Sequence, residues 1–190
     1  RTWPRPRADR ADPPGGDEVL LSGLVYTMRD AGHERALQCL EDTRHLPFDL
    51  EGATLFYAGP TPAAAGRPLG SVGPTTASRM DFATPALFEA GIVAAIGKGK
   101  RSEAVIEAIR ACGAVYFGAT GGCGALLSQC IKKAEVMAYP DLGPEAVRRL
   151  YVENFPVTVI IDSEGNNLYE IGRQNYLDSM RQREACGSGV

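Results

Sequence analysis

Cysteine is scarce in this chain of 190 residues: its five copies, Cys39, Cys112, Cys123, Cys130 and Cys186, form no CxxC pair. An odd number at such spacings excludes a disulfide framework and reads as reduced thiols of a cytosolic protein. Cys123 and Cys130, seven apart, could share a helix face. Zinc and iron–sulfur sites show tight pairs with further ligands, so core packing is the simpler reading and no metal ligands are expected in this chain. Basic charge is short as well. Twenty Lys and Arg against 23 Asp and Glu leave a net charge of -3, which excludes nucleic acid as the main partner because no excess is available to neutralise phosphates. Long apolar runs are missing too, and none approaches the roughly 18 residues of a membrane helix. The basic start, Arg1 to Arg7, has no apolar segment behind it, so no secretory signal is expected. Together these absences lead to the expectation of a cytoplasmic protein.

What is present is the composition of an ordinary globular domain, 44% hydrophobic and 23% charged, which is enough to bury one core. Residues 1–16 are rich in Arg, Asp, Pro and Gly without a hydrophobic period, and are expected to be a flexible N-terminal arm. The chain starts without Met, so this arm is not expected to be a natural start. Residues 17–185 read as a single domain and 186–190 as a disordered tail.

The interior alternates short β runs with helical stretches. Strands are expected at 19–26 (interrupted by Gly23), 54–58, 92–96, 114–118, 134–139, 151–155, 157–161 and 168–171. The turn Asp162-Ser163-Glu164-Gly165-Asn166 is expected to join the last two as a hairpin. Helices are expected at 29–40, with Ala36, Leu37 and Leu40 facing the core, at 85–90, at 102–112 behind a Ser102 cap, and at 124–131. Gly59 to Pro74 reads as a Gly/Pro-rich loop. The pattern is α/β with a mixed sheet and not a pure doubly wound one.

Four segments carry polar groups that a scaffold does not need. In Tyr26 to Arg35, Arg29 stands at a helix start, where a cation opposes the helix dipole. Such an arginine is placed to grip a carboxylate, although a surface pair with Asp30 or Glu34 explains it more simply. His33, a lone helical histidine, reads as a surface or satisfied core residue. In Gly70 to Asp81, Thr75 or Thr76 can cap a short helix and Arg79 falls four residues after Thr75, on the same side. In Gly97-Lys98-Gly99-Lys100-Arg101-Ser102, three cations following a buried strand suit a solvated loop. Lys98 is nevertheless the first residue out, where open α/β sheets gather ligands. The fourth, Gly118 to Gly124, is a Gly-rich turn that tight packing also explains. Two arginines and a lysine converging on one pocket would suit a small, multiply anionic ligand such as a dicarboxylate.

The combination is more specific than its parts. Arg29-Asp30-Ala31-Gly32-His33-Glu34-Arg35 resembles the RDAAHKR signature of the β subunits or domains of class I fumarases and L-tartrate dehydratases. Gly73 to Asp81 is similar to their GPTTxxRMD segment and Gly97-Lys98-Gly99 to their KGN segment. Gly118 to Gly122 and Glu153 to Pro156 agree in order and spacing, so the likeness spans roughly residues 17–172. It implies a swivelling β/β/α domain with a mixed sheet. It also implies an α subunit, or an N-terminal domain, whose cysteines hold a [4Fe–4S] cluster acting as a Lewis acid, in an α2β2 or homodimeric assembly. By motif, Arg29, Arg79 and Lys98 would bind the dicarboxylate and Thr75 would take part in removing the C3 proton, with help, since a threonine hydroxyl is a weak base. Gly32, Glu34 and Lys100 depart from the family pattern.

The leading expectation is therefore the β subunit of an iron–sulfur hydro-lyase that hydrates fumarate to L-malate or dehydrates L-tartrate. The alternative is a stand-alone dicarboxylate-binding or regulatory module without catalysis, and behind it a structural domain whose arginines only make salt bridges.

Overall fold

A computed structural model describes residues 13–187, without the side chains of 182–187. Most of the expected arm and the end of the expected tail lie outside these residues. Of their inner ends, Gly16 N–H donates to Val159 O at 2.9 Å.

Six strands form one mixed sheet: β1 (Glu18–Thr27), β2 (Thr54–Phe56), β3 (Ala94–Gly97), β4 (Val115–Gly118), β5 (Ile131–Ala138) and β6 (Val147–Ile161). β1 to β4 are parallel neighbours in that order, and β6 runs antiparallel to β4 and β5. β6 also pairs antiparallel with β1 along nearly its whole length, from Glu18↔Thr158 to Thr27↔Arg148. This extra pairing closes β1, β2, β3, β4 and β6 into a five-stranded barrel, with β5 outside on the first half of β6. Closure removes two sheet edges that would otherwise be exposed. β1 bends where its register shifts between Leu21 and Gly23, and Gly23 takes φ 129, a conformation that suits glycine.

Successive strand residues point to opposite faces, and both faces are buried. Phe56, Ala94, Ile96, Val115 and Phe117 belong to one apolar cluster with Leu21, Phe155 and Val159. Their chain neighbours Leu55, Tyr57, Ala95 and Tyr116 belong to a second, packed under the helices. Burial on both sides is why the central strands read as unbroken apolar runs.

The helices are α1 (Asp30–Thr43), α2 (Thr84–Glu89), α3 (Glu103–Cys112), α4 (Gly124–Gln129) and α5 (Leu168–Gly187), with 3-10 helices at Ala77–Met80 and Pro140–Glu145. α3 buries Val105, Ile106 and Ile109 and ends at Gly113 with φ 58. In α1 Ala36 is buried, with Leu37 and Leu40 packed against the second cluster.

Several expectations need correction. The two strands expected at 151–155 and 157–161 are one strand that runs through Pro156. The hairpin strand expected at 168–171 is the first turn of α5, after a single bridge between Ile161 and Asn167. Helical backbone also extends to Gly187, into the segment expected as tail. Neither Ser102 nor Thr76 caps with its side chain. Cys123 and Cys130 stand at the two ends of α4, as its first and last flanking residues.

Candidate functional site

Arg29 is the residue before α1, with extended backbone and no side-chain cap bond. Carboxylates offset its opposition to the helix dipole. Its Nε donates to Asp30 Oδ2 at 3.2 Å and lies 3.3 Å from Glu145 Oε1. The second oxygen of Glu145 accepts the Ala31 N–H at 2.7 Å. A side chain 114 residues away thus caps α1 while holding its junction arginine. Gly59 makes room on the other side: a Cβ there would stand 3.0 Å from Arg29 Cδ and 3.1 Å from Pro144 O.

Arg79, in the 3-10 helix, brings its Nε to 2.8 Å from Asp30 Oδ1, and its Nη1 donates to Thr75 Oγ1 at 3.4 Å. Asp30 therefore holds one arginine on each carboxylate oxygen. Burial alone would raise the Asp30 carboxyl, but its backbone hydrogen bond and the guanidinium groups of Arg29 and Arg79 outweigh that and hold it below the usual carboxylate range. Both arginines meet these carboxylates through Nε, which leaves Nη groups on each fork as further donors. They remain accessible, with side-chain exposures of 28% for Arg29 and 48% for Arg79.

Lys98 follows β3, and its backbone is stitched to the threonine loop. Lys98 N–H donates to Thr75 O at 3.3 Å, and Ala77 N–H donates to Lys98 O at 2.9 Å. Its exposed side chain passes the Gly118–Gly124 turn, where a Cβ on Gly121 would lie 3.5 Å from Lys98 Cδ. Arg29, Arg79 and Thr75 are thus joined by direct side-chain contacts or a shared carboxylate, and Lys98 is held to them through its backbone. Three cations against Asp30 and Glu145 leave one net positive charge, a field that favours an anion.

Sequence reading missed part of this arrangement. Asp30 was weighed only as a surface partner of Arg29, and it is the bridge to Arg79. Glu145 carried no signal, because no local pattern links it to α1. Arg101, expected in a solvated loop, is buried with its side chain at 0% exposure, whereas Lys98 and Lys100 are exposed. Its Nε reaches Asp81 Oδ1 at 2.7 Å, and its guanidinium lies over the rings of Tyr57 and Tyr116. His33 is neither a surface residue nor a fully satisfied core one: its Nδ1 pairs with Arg29 O at 2.9 Å while its buried Nε2 has no partner. Burial, opposed by the Arg29 carbonyl and reinforced by Arg101, lowers its pKa to about 4, so it is neutral at pH 7.

Among the described residues, no three His, Cys, Asp or Glu side chains stand together as a metal site. Cys123 and Cys130 line a groove of about 690 Å³ whose walls come from β1, β4, β6 and α4, away from the two arginines. The described side chains offer no ligand set for an iron–sulfur cluster, and what the site holds is two guanidinium groups, a lysine and one hydroxyl 3.4 Å from Arg79 Nη1.

Comparison with known proteins gives this site its context. Residues 6–172 match the family model described as Fumarase C-terminus. "Fumarate hydratase 1, mitochondrial" of Leishmania major is 38% identical over 172 residues, covering 90% of this chain and 31% of that protein. "Fumarate hydratase class I, anaerobic" of Escherichia coli is 36% identical over 159 residues, covering 83% and 29%. The chain thus spans about three-tenths of these two relatives. "Putative L(+)-tartrate dehydratase subunit beta" of Methanocaldococcus jannaschii is 38% identical over 161 residues, and there the match covers 82% of this chain and 83% of the relative. A match over most of the chain, and over most of a relative of similar extent, makes this protein a member of the Fumarase C-terminus family.

Proposed function

We propose that this chain is the substrate-anchoring β part of a hydro-lyase that interconverts fumarate and L-malate, or dehydrates L-tartrate, once joined to an α-type chain or domain. One observation carries this reading. Arg29 and Arg79, fifty positions apart in sequence, converge on the two oxygens of Asp30, with Thr75 held on the second arginine. The nature of the contact matters here: the Nε groups serve the scaffold and Arg79 Nη1 holds Thr75, while the Nη groups of Arg29 and Nη2 of Arg79 remain for the planar carboxylates of a ligand. Lys98 adds a mobile point charge for the second carboxylate of a dicarboxylate.

Thr75 would handle the C3 proton. Arg79 donates to its oxygen, which stabilises the hydroxyl in its deprotonated form and leaves its own proton free to go to a base. No carboxylate among its described hydrogen-bond partners supplies that base, so the α part would. The same part would hold the [4Fe–4S] cluster, since the described residues of this chain offer no ligand set. The five-stranded closed sheet with helices outside suits the swivelling β/β/α fold, and an α2β2 or homodimeric assembly in the cytoplasm fits the reading. Fumarate is the first substrate to test because two similar proteins carry that name. L-tartrate follows because the relative matched over most of its length carries the other.

The test is anaerobic hydration of fumarate, with mesaconate and L-tartrate alongside, by this chain with and without its candidate α partner. Activity confined to the mixture supports the proposal and identifies the substrate. An inactive mixture with a verified intact cluster overturns it in favour of a binding module.

A further inference from the structure

Arg101 is the one buried arginine among the described residues, and each of its three guanidinium nitrogens donates inside the protein. Nε donates to Asp81 Oδ1 at 2.7 Å, Nη2 to Thr84 Oγ1 at 2.8 Å and Nη1 to the Tyr57 hydroxyl at 3.3 Å. Its guanidinium carbon lies 5.1 Å from the centroid of Tyr57 and 4.9 Å from that of Tyr116. The far oxygen of Asp81 accepts the Ser102 N–H at 2.6 Å, and Tyr116 donates to Gly99 O at 3.1 Å. With its side chain at 0% exposure, Arg101 cannot touch a ligand through its guanidinium. A buried ion pair is also a poor source of stability, since apolar residues of the same volume often serve as well. Its value lies elsewhere.

Asp81 ends the segment that carries Thr75 and Arg79, and Arg101 with Ser102 ends the segment that carries Lys98. The pair ties these two segments together from below, next to the backbone ladder formed by the Lys98 and Ala77 N–H groups. We propose that Arg101 and Asp81 are positioning residues, a buried clamp that sets the register of Thr75 and Arg79 against Lys98. This rests on the reading of those three residues as substrate-facing. A loop displaced by about 1 Å can cost on the order of 100-fold in rate, so the clamp acts on turnover more than on anchoring, to which Arg29 contributes from α1.

The experiment compares Arg101→Met, Arg101→Lys and the milder Asp81→Asn in the assembled enzyme, with amide exchange measured on the same chains. For Arg101→Met, kcat for fumarate hydration is expected to fall about 100-fold while KM changes by less than about threefold. Arg101→Lys keeps the charge but loses the fork, and is expected to leave kcat at least about tenfold low. Amide exchange at Ala77 and Lys98 is expected to quicken by about tenfold in Arg101→Lys and Asp81→Asn, with the amides of β1 unchanged. A lower melting temperature with kcat within twofold of the parent would mean a merely structural pair and overturns the clamp. A large rise in KM at constant kcat overturns it as well. If the parent enzyme hydrates nothing, the functional reading fails separately and exchange decides alone: unchanged Ala77 and Lys98 amides in the folded variants reject the clamp.

Discussion

Two arginine–carboxylate arrangements lie within a few residues of each other, and they are built to opposite ends. Around Asp30, Arg29 and Arg79 are partly exposed and use Nε, so their forks keep donors in reserve. Around Asp81, Arg101 is wholly enclosed, and Nε and both Nη groups are occupied. On the proposed reading, the same chemical pair serves recognition in one place and alignment in the other. Accessibility and unspent donors distinguish them. His33 lies between the two: its Nδ1 is bonded to the Arg29 carbonyl and its charged form is opposed by Arg101.

The comparison can be broken most forcefully at the buried end. Arg101→Ala leaves the Asp81 carboxylate without its partner, and loss of one member of a buried pair costs about 3–5 kcal/mol. Denaturant unfolding of the chain should show that loss, and a change within 1 kcal/mol would mean that water already reaches the pair. The middle of the system answers to pH. The folded-state pKa of His33 lies near 4, below its ordinary 6.5, so folding favours the neutral ring. Its contribution is fully present above pH 6.5 and is lost as pH falls towards 4, amounting to about 2 kcal/mol between pH 7 and pH 5. His33→Gln should flatten that part of the stability–pH curve, whereas an unchanged slope would remove His33 as its source. The exposed end should respond most gently in stability. Gly59→Ala places a methyl group against Arg29 Cδ and the Pro144 carbonyl, costing about 1 kcal/mol of packing. If Arg29 anchors substrate, KM should rise by about fivefold, and an unaltered KM would detach Gly59 from the site.

Much of this was legible in the sequence, for reasons that can be named. The central strands announced themselves because burial on both faces forces unbroken apolar runs such as Ala94 to Ile96. α3 was readable from Ser102 and the acidic Glu103 at its start, although Ser102 takes the cap position without a side-chain bond. β6 was misread as two strands because Asn154, φ 51, and Pro156 two residues later are ordinary turn formers, yet the strand runs through both. The expected final hairpin failed on one side chain. Asp162 organises the turn by accepting the Glu164 and Asn166 N–H groups, but Asn167 then accepts the Tyr169 N–H at 3.1 Å and starts a helix. In the site, local motifs marked Arg29, Thr75, Arg79 and Lys98. Glu145 was invisible because a carboxylate acting across 114 residues leaves no spacing to read. Arg101 was misplaced because charge in a Gly/Lys loop gives no sign of burial when its partners Tyr57, Asp81 and Tyr116 come from three other segments.

The most direct test of the account is the effect of Arg79→Ala on kcat/KM for fumarate once this chain is assembled anaerobically with the proposed α part, with melting of the chain followed in parallel. An exposed, ligand-facing arginine predicts a fall of about 100-fold or more, equivalent to about 2.7 kcal/mol of lost transition-state stabilisation. Stability should change by no more than about 1 kcal/mol, as for other partly exposed pairs. An unchanged rate, or a rate loss that only follows unfolding, would contradict the claim that the Asp30-bridged arginines hold the substrate.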